Sequence, residues 1–358
     1  MKRRQICLIG VFPPPLHGMS LINEFVKQRV SVSASPLVIN FSPRNLNRSF
    51  VVRFGKVFRV IQCISKLILY LATGRISSVY LGLSGGNGQI YDAMFCSVSR
   101  VFSRKIYMHH HSFQYINKFR WLTKILFAIS GEGAVHIISC DRMARELKRL
   151  YPVVSEIRFV SGISAIDLRD GDVRIREKVR SIGFLSNISI EKGIMEFLNV
   201  VSCADRVKLP IHFILAGPYQ DDNVKALVER RMASLANVSC IGPVYDDEKR
   251  TFFDSIDVFL MPSHNESDPL VIHEAMSNGI PVIAHSRGCI GEIISNQVGL
   301  ILAPEEDYVS GTFEMIKKWL ANPQAFQLAS QSALNQFNEA RLLHSSNMNA
   351  LCAELTEQ

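Results

Sequence analysis

Short apolar runs alternate with longer segments of helical period along the first half of the chain. Each run is largely apolar and includes β-branched or aromatic side chains, and each intervening segment repeats its apolar positions every three to four residues. The predicted strands are residues 6–11, 37–41, 78–83, 105–109, 134–139 and 157–160. The predicted helices are residues 19–30, 51–72, 90–102, 118–129 and 141–150. This alternation is typical of an α/β fold with a doubly wound parallel sheet.

The second half of the chain repeats the alternation. Its predicted strands are residues 181–185, 212–216, 238–241, 256–261, 281–284 and 299–303. The polar segment 164–176 interrupts the pattern, and we interpret it as a linker. The sequence therefore predicts two Rossmann-like domains facing a cleft, over residues 1–165 and 166–340, followed by a C-terminal helix at 341–358.

Charge divides the chain into a basic and an acidic half. Residues 1–165 hold 23 Lys or Arg against 6 Asp or Glu, a net charge of +17, and the remainder has a net charge of −9. A basic domain predicts an anionic partner, either a membrane surface or a nucleic acid. Eight cysteines without a C-x-x-C pair favour neither a zinc site nor a disulfide framework, so we expect a reduced, cytosolic protein.

Residues 51–71 have a mixed character. One predicted helical face carries Phe54, Phe58, Ile61 and Ile68, and Arg53, Lys56, Arg59 and Lys66 lie largely opposite. The charges exclude a membrane span, and the pattern predicts a helix that packs on the sheet with a solvated basic side. Further basic or aromatic residues fit docking to anionic lipid as well, namely Arg104, Lys105, Lys118, Arg120, Trp121 and Lys124.

Two carboxylates stand eight positions apart where a strand, a tight loop and a helix follow one another. Glu266 lies in the loop, and Glu274 lies about one and a half turns inside a helix expected to open near Asp268 and Pro269. Free N–H groups and a partial positive charge at that helix start attract an anion such as phosphate. Carboxylates on either side accept hydrogen bonds from sugar and ribose hydroxyls. The segment therefore predicts a site for a sugar joined to a diphosphate.

Residues 255–284, which contain this pair, resemble the E-x7-E signature of the family 4 retaining glycosyltransferases, which use nucleotide sugars and have the GT-B fold. The resemblance extends to residues 183–193, 216–218 and 241–244, and more weakly to the first half. It implies that Glu266 contacts the donor sugar and Glu274 the ribose. It also implies further contacts to the nucleotide-sugar donor, from Gly217, Pro243 and Val244. The N–H groups of Asp268, Leu270 and Val271 would bind the diphosphate, whereas Pro269 in the same segment has no N–H. The C-terminal helix of such enzymes crosses back to the first domain.

The loop after the strand 181–185 carries the predicted cation of the site. Lys192 is placed to stabilise the leaving phosphate, and Asn187 is a candidate hydrogen-bond donor. Many relatives have an Arg after the first Gly of this segment, where this chain has Phe184 after Gly183.

In the first domain, Gly18 follows the Pro-rich loop after the first strand and permits close approach of the donor to the backbone. His109, His110 and His111 end a strand, so only His109 and His111 can point the same way, and the three cannot chelate one metal. The resemblance implies a histidine beside the transferred sugar. His111 is the first candidate and His109 the second.

Together these features predict a metal-independent transferase without a cofactor, acting on a nucleotide sugar and a lipid-linked or saccharide acceptor. We expect a peripheral enzyme on the inner face of the cytoplasmic membrane that builds bacterial surface polysaccharide such as lipopolysaccharide O-antigen, capsule or exopolysaccharide. A GT-B nucleotide-sugar 2-epimerase is one alternative. A non-catalytic nucleic-acid-binding protein is another, although no recognisable reader motif is present and we expect no nucleic acid partner.

Overall fold

The computed structural model describes residues 5–14, 17–42, 50–167 and 173–356. It divides into two compact units, Met1–Ala165 with Leu342–Gln358, and Ile166–Arg341. Pro15 and Leu16 of the Pro-rich loop, residues 168–172 of the predicted linker, and the side chains of Arg53, Phe54 and Lys56 lie outside the described part.

The first unit contains a six-stranded sheet in which all neighbouring strands are parallel. Its strands are β1 (Gln5–Gly10), β2 (Leu37–Asn40), β3 (Ile76–Leu83), β4 (Lys105–His110), β5 (Val135–Ile138) and β6 (Glu156–Phe159). The spatial order is β2-β1-β3-β4-β5-β6. Each of the six predicted apolar runs forms a strand. The inner strands β1, β3, β4 and β5 are buried almost throughout, as expected for parallel strands covered on both faces, whereas the edge strands β2 and β6 are partly exposed.

The helices between these strands are α1 (Gly18–Ser33), α2 (Phe50–Ala72), α3 (Gln89–Val101), α4 (Trp121–Ser130) and α5 (Asp141–Leu150). The prediction for α2 chose the wrong packing face. Val60, Cys63, Leu67 and Leu71 are the buried positions. Phe58, Ile61 and Ile68 are exposed instead, so α2 presents apolar side chains outward as well as inward.

The second unit has its own six-stranded parallel sheet. Its strands are β7 (Ser181–Leu185), β8 (His212–Ala216), β9 (Val238–Gly242), β10 (Val258–Met261), β11 (Val282–His285) and β12 (Leu300–Leu302). Its helices are α6 (Ile194–Arg206), α7 (Asp222–Met232), α8 (Asp246–Ser255), α9 (Leu270–Ser277), α10 (Ile290–Ile293) and α11 (Tyr308–Ala321). The spatial order β12-β11-β10-β7-β8-β9 reverses direction between β7 and β10. Ligands of doubly wound sheets bind at the carboxyl ends of strands beside such a reversal.

The last helix, α12 (Pro323–Thr356), begins well before the predicted position and runs from the second unit into the first. Its final turns bury Met348, Leu351 and Leu355 in the core of the first unit. Near its end, Glu354 accepts hydrogen bonds from Arg158 at 2.8 Å and from Lys105 at 3.3 Å. Lys105 is therefore ion-paired within the first unit, and its predicted place on a lipid-docking surface stays a prediction.

Arg176 closes the predicted linker, yet its side chain is 1% exposed. Its guanidinium donates to the carbonyls of Arg174 at 2.7 Å, Asn278 at 2.5 Å and Phe253 at 2.8 Å. A buried charge is tolerated when several hydrogen bonds replace its hydration. Arg176 therefore belongs to the core of the second unit, and the linker interpretation is wrong at this end.

Replacing Arg176 by Met is expected to lower the free energy of unfolding of the second unit by about 3 kcal/mol or more, because several buried carbonyls lose their donor. Trp319, which is 4% exposed in the core of this unit, reports its unfolding by fluorescence in urea. The matched control is Arg174→Met, whose parent side chain is 66% exposed. Equal midpoints for the two variants would contradict the structural role of Arg176.

Candidate functional site

The loops that leave β7 and β10 at the reversal of the second sheet touch one another. His264 N donates to the carbonyl of Glu191 at 2.9 Å, and Asn265 Nδ2 donates to the Glu191 carboxylate at 2.9 Å. Gly193 has φ of 79°, and a Cβ at that position would lie 2.2 Å from the Pro262 carbonyl oxygen. Only glycine permits both this conformation and this approach. Glycine at position 193 therefore allows the loop after β7 to lie directly against the loop after β10.

This contact brings the predicted cation and the first predicted carboxylate together. Lys192 Nζ lies 2.5 Å from Glu266 Oε1, and the Glu266 side chain is only 9% exposed. A carboxylate with so little water requires a charged partner or strong donors. Lys192 supplies that partner and remains 29% exposed itself. The two residues thus form one charge pair at the carboxyl edge of the sheet.

The second predicted carboxylate also has a lysine partner. Lys249 of α8 lies 2.6 Å from Glu274 Oε1 on α9. The other oxygen, Glu274 Oε2, is buried and accepts no hydrogen bond from the part of the chain that the structure describes. An ionised carboxylate has acceptor capacity for several donors, so Oε2 is suited to a hydroxyl of a ligand. Lys249 was missed, because a lysine in the charged run of α8 looks like an ordinary solvated residue.

Helix α9 begins at Leu270, with Pro269 as its N-cap in extended conformation. The N–H groups of Leu270 and Val271 therefore lie in the first turn, where the helix supplies no carbonyl partners. Just before the cap, Asp268 Oδ1 lies 2.7 Å from Nε2 of His273, which is 3% exposed. This pair holds the loop against the helix. The sequence analysis missed His273, whose position on the buried face of α9 resembles that of an ordinary core residue.

Other predicted donor contacts lie at the same edge of the sheet, on the far side of β7. Gly217 follows β8 with φ of 126°, and a Cβ there would meet the Ser186 carbonyl oxygen at 1.8 Å. Its N–H donates to the Gly242 carbonyl at 2.8 Å, which ties the loops after β8 and β9. Pro243 is exposed and Val244 is buried. The predicted residues of this unit therefore all lie at carboxyl ends of strands or just beyond them.

Phe184 lies inside β7 and is 1% exposed, with its ring centroid 5.3 Å from that of Phe197. A charged side chain at this position would be buried in the core, so Phe184 does not occupy a ligand-binding position. Asn187 is the first exposed side chain after β7. Phe184 therefore offers no polar group at this edge, and its correspondence to the arginine that many relatives carry stays a prediction.

Arg287 is a further cation at this edge that the sequence analysis missed. It follows β11, and two residues later the Cys289 N–H donates to the Ser267 carbonyl at 2.8 Å, beside Glu266. Its Nε is buried without a hydrogen-bond partner among the described residues. Burial lowers the pKa of the neighbouring His285, and the charge of Arg287 adds to this effect. The loop after β11, which carries Arg287, thus lies against the backbone of Glu266 and Ser267.

In the first unit, Gly18 is the first residue of α1. His17 caps the helix: its Nδ1 accepts from Ser20 N at 3.3 Å, and Ser20 Oγ accepts from His17 N at 2.9 Å. A Cβ added to Gly18 would have no described atom within 4 Å. Local packing therefore does not require glycine here, which leaves the predicted backbone approach of a ligand as its proposed reason.

The histidines at the end of β4 point in alternating directions, as strand geometry requires. His109 and His110 are the last two residues of the strand, and His111 follows it. The rings of His109 and His111 lie 4.3 Å apart, whereas His110 points to the opposite face. There His110 is hydrogen bonded to His136 at 2.9 Å and to Tyr115 at 2.9 Å. Burial lowers the pKa of His136 to about 4, so this pair is neutral at pH 7 and belongs to the core. Within the described residues, no group of three or more His, Cys, Asp or Glu side chains is arranged to hold a metal ion.

Comparison with known proteins places the second unit beside a known family. Residues 179–322 match the family described as Glycosyl transferases group 1. The sulfoquinovosyl transferase of Arabidopsis thaliana is 36% identical over 113 residues, which are 31% of this chain and 20% of that protein. The chain spans about a third or less of the length of the first curated relatives it matches.

Solved structures define the fold over the whole chain. Sucrose-phosphate synthase from Thermosynechococcus elongatus superposes with a TM-score of 0.76 and 14% identity over 99% of both chains. HepE of Anabaena, in complex with UDP-glucose, superposes with a TM-score of 0.69 and 14% identity over 98% of both chains. The chain therefore has the GT-B fold, as its sequence predicted.

Proposed function

We propose that this protein transfers a sugar from a nucleotide diphosphate to an acceptor hydroxyl, with retention of the anomeric configuration. The observation that carries the proposal is the arrangement around α9. The Lys192–Glu266 pair lies before the helix. Glu274, whose Oε2 accepts no hydrogen bond among the described residues, lies within the helix. Between them are the N–H groups of the first turn, which have no carbonyl partner in the helix. The match of residues 179–322 to Glycosyl transferases group 1 and the UDP-glucose in the HepE complex support a nucleotide sugar as donor.

On binding, the nucleotide sugar would replace some of the contacts that these side chains make within the protein. Glu274 Oε2 accepts from a ribose hydroxyl while Oε1 stays with Lys249. The diphosphate takes the N–H groups of Leu270 and Val271, where the helix dipole favours negative charge. Glu266 then accepts from hydroxyls of the donor sugar, and its lysine partner turns to the phosphate. Each group thus has a role in the ligand-free and in the ligand-bound chain.

The chemical step breaks the bond between the anomeric carbon and the diphosphate oxygen. Lys192, Arg287 and the start of α9 stabilise the negative charge that develops on the leaving diphosphate. The acceptor oxygen forms the new bond from the same face, and its proton passes to the departing phosphate oxygen. Orientation and charge stabilisation carry the rate, since neither the sequence nor the described site offers a convincing covalent nucleophile.

The acceptor is proposed from the surface of the first unit. Helices α2, α3 and α4 pack in that order, and their outer faces carry large exposed apolar side chains. These are Phe58, Ile61, Ile68, Leu69, Ile90, Met94, Val101, Trp121 and Ile125. Lys118, Arg120 and Lys124 are close by in sequence, and the Lys124 ammonium lies 4.9 Å from the Trp121 ring centroid. Exposed apolar groups with lysine and arginine suit the headgroup region of an anionic membrane.

No helix in the described ranges combines the length and the apolar character needed to cross a bilayer. We propose peripheral attachment through the surface of α2, α3 and α4, on the inner face of the cytoplasmic membrane. A lipid-linked precursor of a bacterial surface polysaccharide is the acceptor class that fits such attachment.

Changing Glu274 to Ala is expected to raise the KM for the nucleotide sugar by about tenfold or more, because a ribose hydroxyl loses a charged acceptor. Slow hydrolysis of several nucleotide sugars without acceptor identifies the donor and measures KM. Glu314→Ala, at an exposed position of α11, is the matched control. An unchanged KM in Glu274→Ala would remove the ribose assignment, and an epimerised nucleotide sugar as product would favour the epimerase alternative.

A double change of Ile61 and Trp121 to Ser is expected to weaken binding to anionic liposomes about tenfold or more, since each large apolar side chain contributes on insertion. Flotation at low salt measures the bound fraction. The control changes Val207 and Leu328 to Ser, which are 52% and 69% exposed in the second unit. Failure of the unaltered protein to float would contradict the membrane proposal and favour a soluble acceptor.

A further inference from the structure

Three buried polar side chains form a hydrogen-bonded row in the first unit, from α1 through β3 to β4. Tyr80 Oη lies 3.0 Å from Asn23 Oδ1 and 2.7 Å from His109 Nδ1. Asn23 and Tyr80 are 0% exposed and His109 is 2% exposed. The row ends at one of the two histidines that the sequence singled out.

The orientation of the Asn23 amide is determined by the backbone. Its Nδ2 lies 3.0 Å from the carbonyl oxygen of Val11, which can only accept a hydrogen bond. The opposite orientation would place two acceptor oxygens against each other. The Oδ1 atom is therefore the one that faces Tyr80, and it can only accept.

The phenol of Tyr80 has one proton to donate. Because Oδ1 of Asn23 takes that proton, the phenol oxygen must accept from His109, whose Nδ1 consequently carries a hydrogen. Burial raises the pKa of Tyr80 well above 10, so the phenol keeps its proton. In the neutral ring, Nε2 of His109 then has the lone pair, and any group that hydrogen bonds to it must be a donor.

Two glycines allow this row to form. A Cβ at Gly10 would lie 2.8 Å from Asn23 Nδ2, and a Cβ at Gly82 would lie 2.6 Å from the same atom. Asn23 therefore sits directly over β1 and β3, where any larger residue would displace it. Such close packing leaves the amide little freedom to rotate.

We propose that Asn23 and Tyr80 are positioning residues, which hold His109 in the Nδ1–H tautomer so that Nε2 accepts a hydrogen bond from a hydroxyl of the sugar substrate. The role in catalysis rests on the proposed glycosyl transfer, whereas the tautomer follows from the contacts of the first unit alone. A sugar hydroxyl held in this way has a fixed orientation, which contributes to the rate through positioning.

Nitrogen NMR of the protein labelled with 15N-histidine tests the tautomer directly, because protonated and unprotonated ring nitrogens have well separated shifts. The chain has 10 histidines, and loss of one signal set in His109→Gln assigns His109. We expect the Nδ1–H form at neutral pH. An Nε2–H ring for His109 in the unaltered protein would overturn the proposal.

Tyr80→Phe removes the acceptor, so we expect His109 to shift towards the Nε2–H tautomer. We also expect kcat to fall about three- to tenfold, with unchanged affinity for the free nucleotide. The matched control is Tyr115→Phe, because Tyr115 contacts the neighbouring His110 at 2.9 Å on the opposite face of β4. This control should perturb His110 and leave His109 and kcat unchanged.

Three results would contradict different parts of the account. An unaltered His109 tautomer in Tyr80→Phe would remove Tyr80 as its cause. A shifted tautomer with unchanged kcat would remove the role in the reaction. If the unaltered protein turns over no nucleotide sugar, the proposed function fails, and the NMR result still decides the tautomer.

Discussion

The contact between Lys192 and Glu266 is the interaction on which the candidate site depends. The Glu266 side chain is only 9% exposed, so Lys192 replaces much of the hydration that its carboxylate would have in water. Lys192 reaches it only because Gly193 lets the loop after β7 lie against Pro262. The pair thus couples backbone conformation to charge placement, and it puts both signs of charge at the loop that leads into α9.

Sheet topology explains why these loops meet. All strands of the second sheet are parallel, so all their carboxyl ends lie at one edge, and the order reverses between β7 and β10. The loops after β7 and β10 therefore start next to one another. The connections that follow them turn to opposite sides of the reversal, which opens a crevice at this edge of the sheet. The segments carrying Lys192 and Glu266 follow these two strands. Glu274 and Lys249 extend the same arrangement along α9 and α8.

The pattern of apolar residues was enough to predict the twelve strands, since parallel strands are buried on both faces and form continuous apolar runs. The positions of Lys192, Glu266 and Glu274 at one edge also followed from strand order and the loops between. The hydrogen-bond and ion-pair partners within the site could not be predicted from the sequence. Lys249 pairs with Glu274, 25 positions along the chain, and His273 pairs with Asp268 only five positions before it. The local patterns around Lys249, His273 and Arg287 nevertheless match those of ordinary surface or core residues.

The remaining errors have similar physical causes. Arg176 looked like a linker residue because its carbonyl partners belong to segments far along the chain. The outward apolar face of α2 was misplaced because Val60, Cys63 and Leu67 define a second apolar stripe on the same helix. Motif spacing alone also does not show which residues stay inside a strand, as Phe184 does in β7.

The most direct test of the central claim is a crystal structure of the protein with a nucleotide diphosphate at the concentration that saturates binding. The account predicts the diphosphate at the first turn of α9 with Lys192 turned towards it, and a ribose hydroxyl within hydrogen-bond distance of Glu274 Oε2. A nucleotide bound elsewhere, with the Lys192–Glu266 and Lys249–Glu274 pairs unchanged and Oε2 still without a donor, would contradict it.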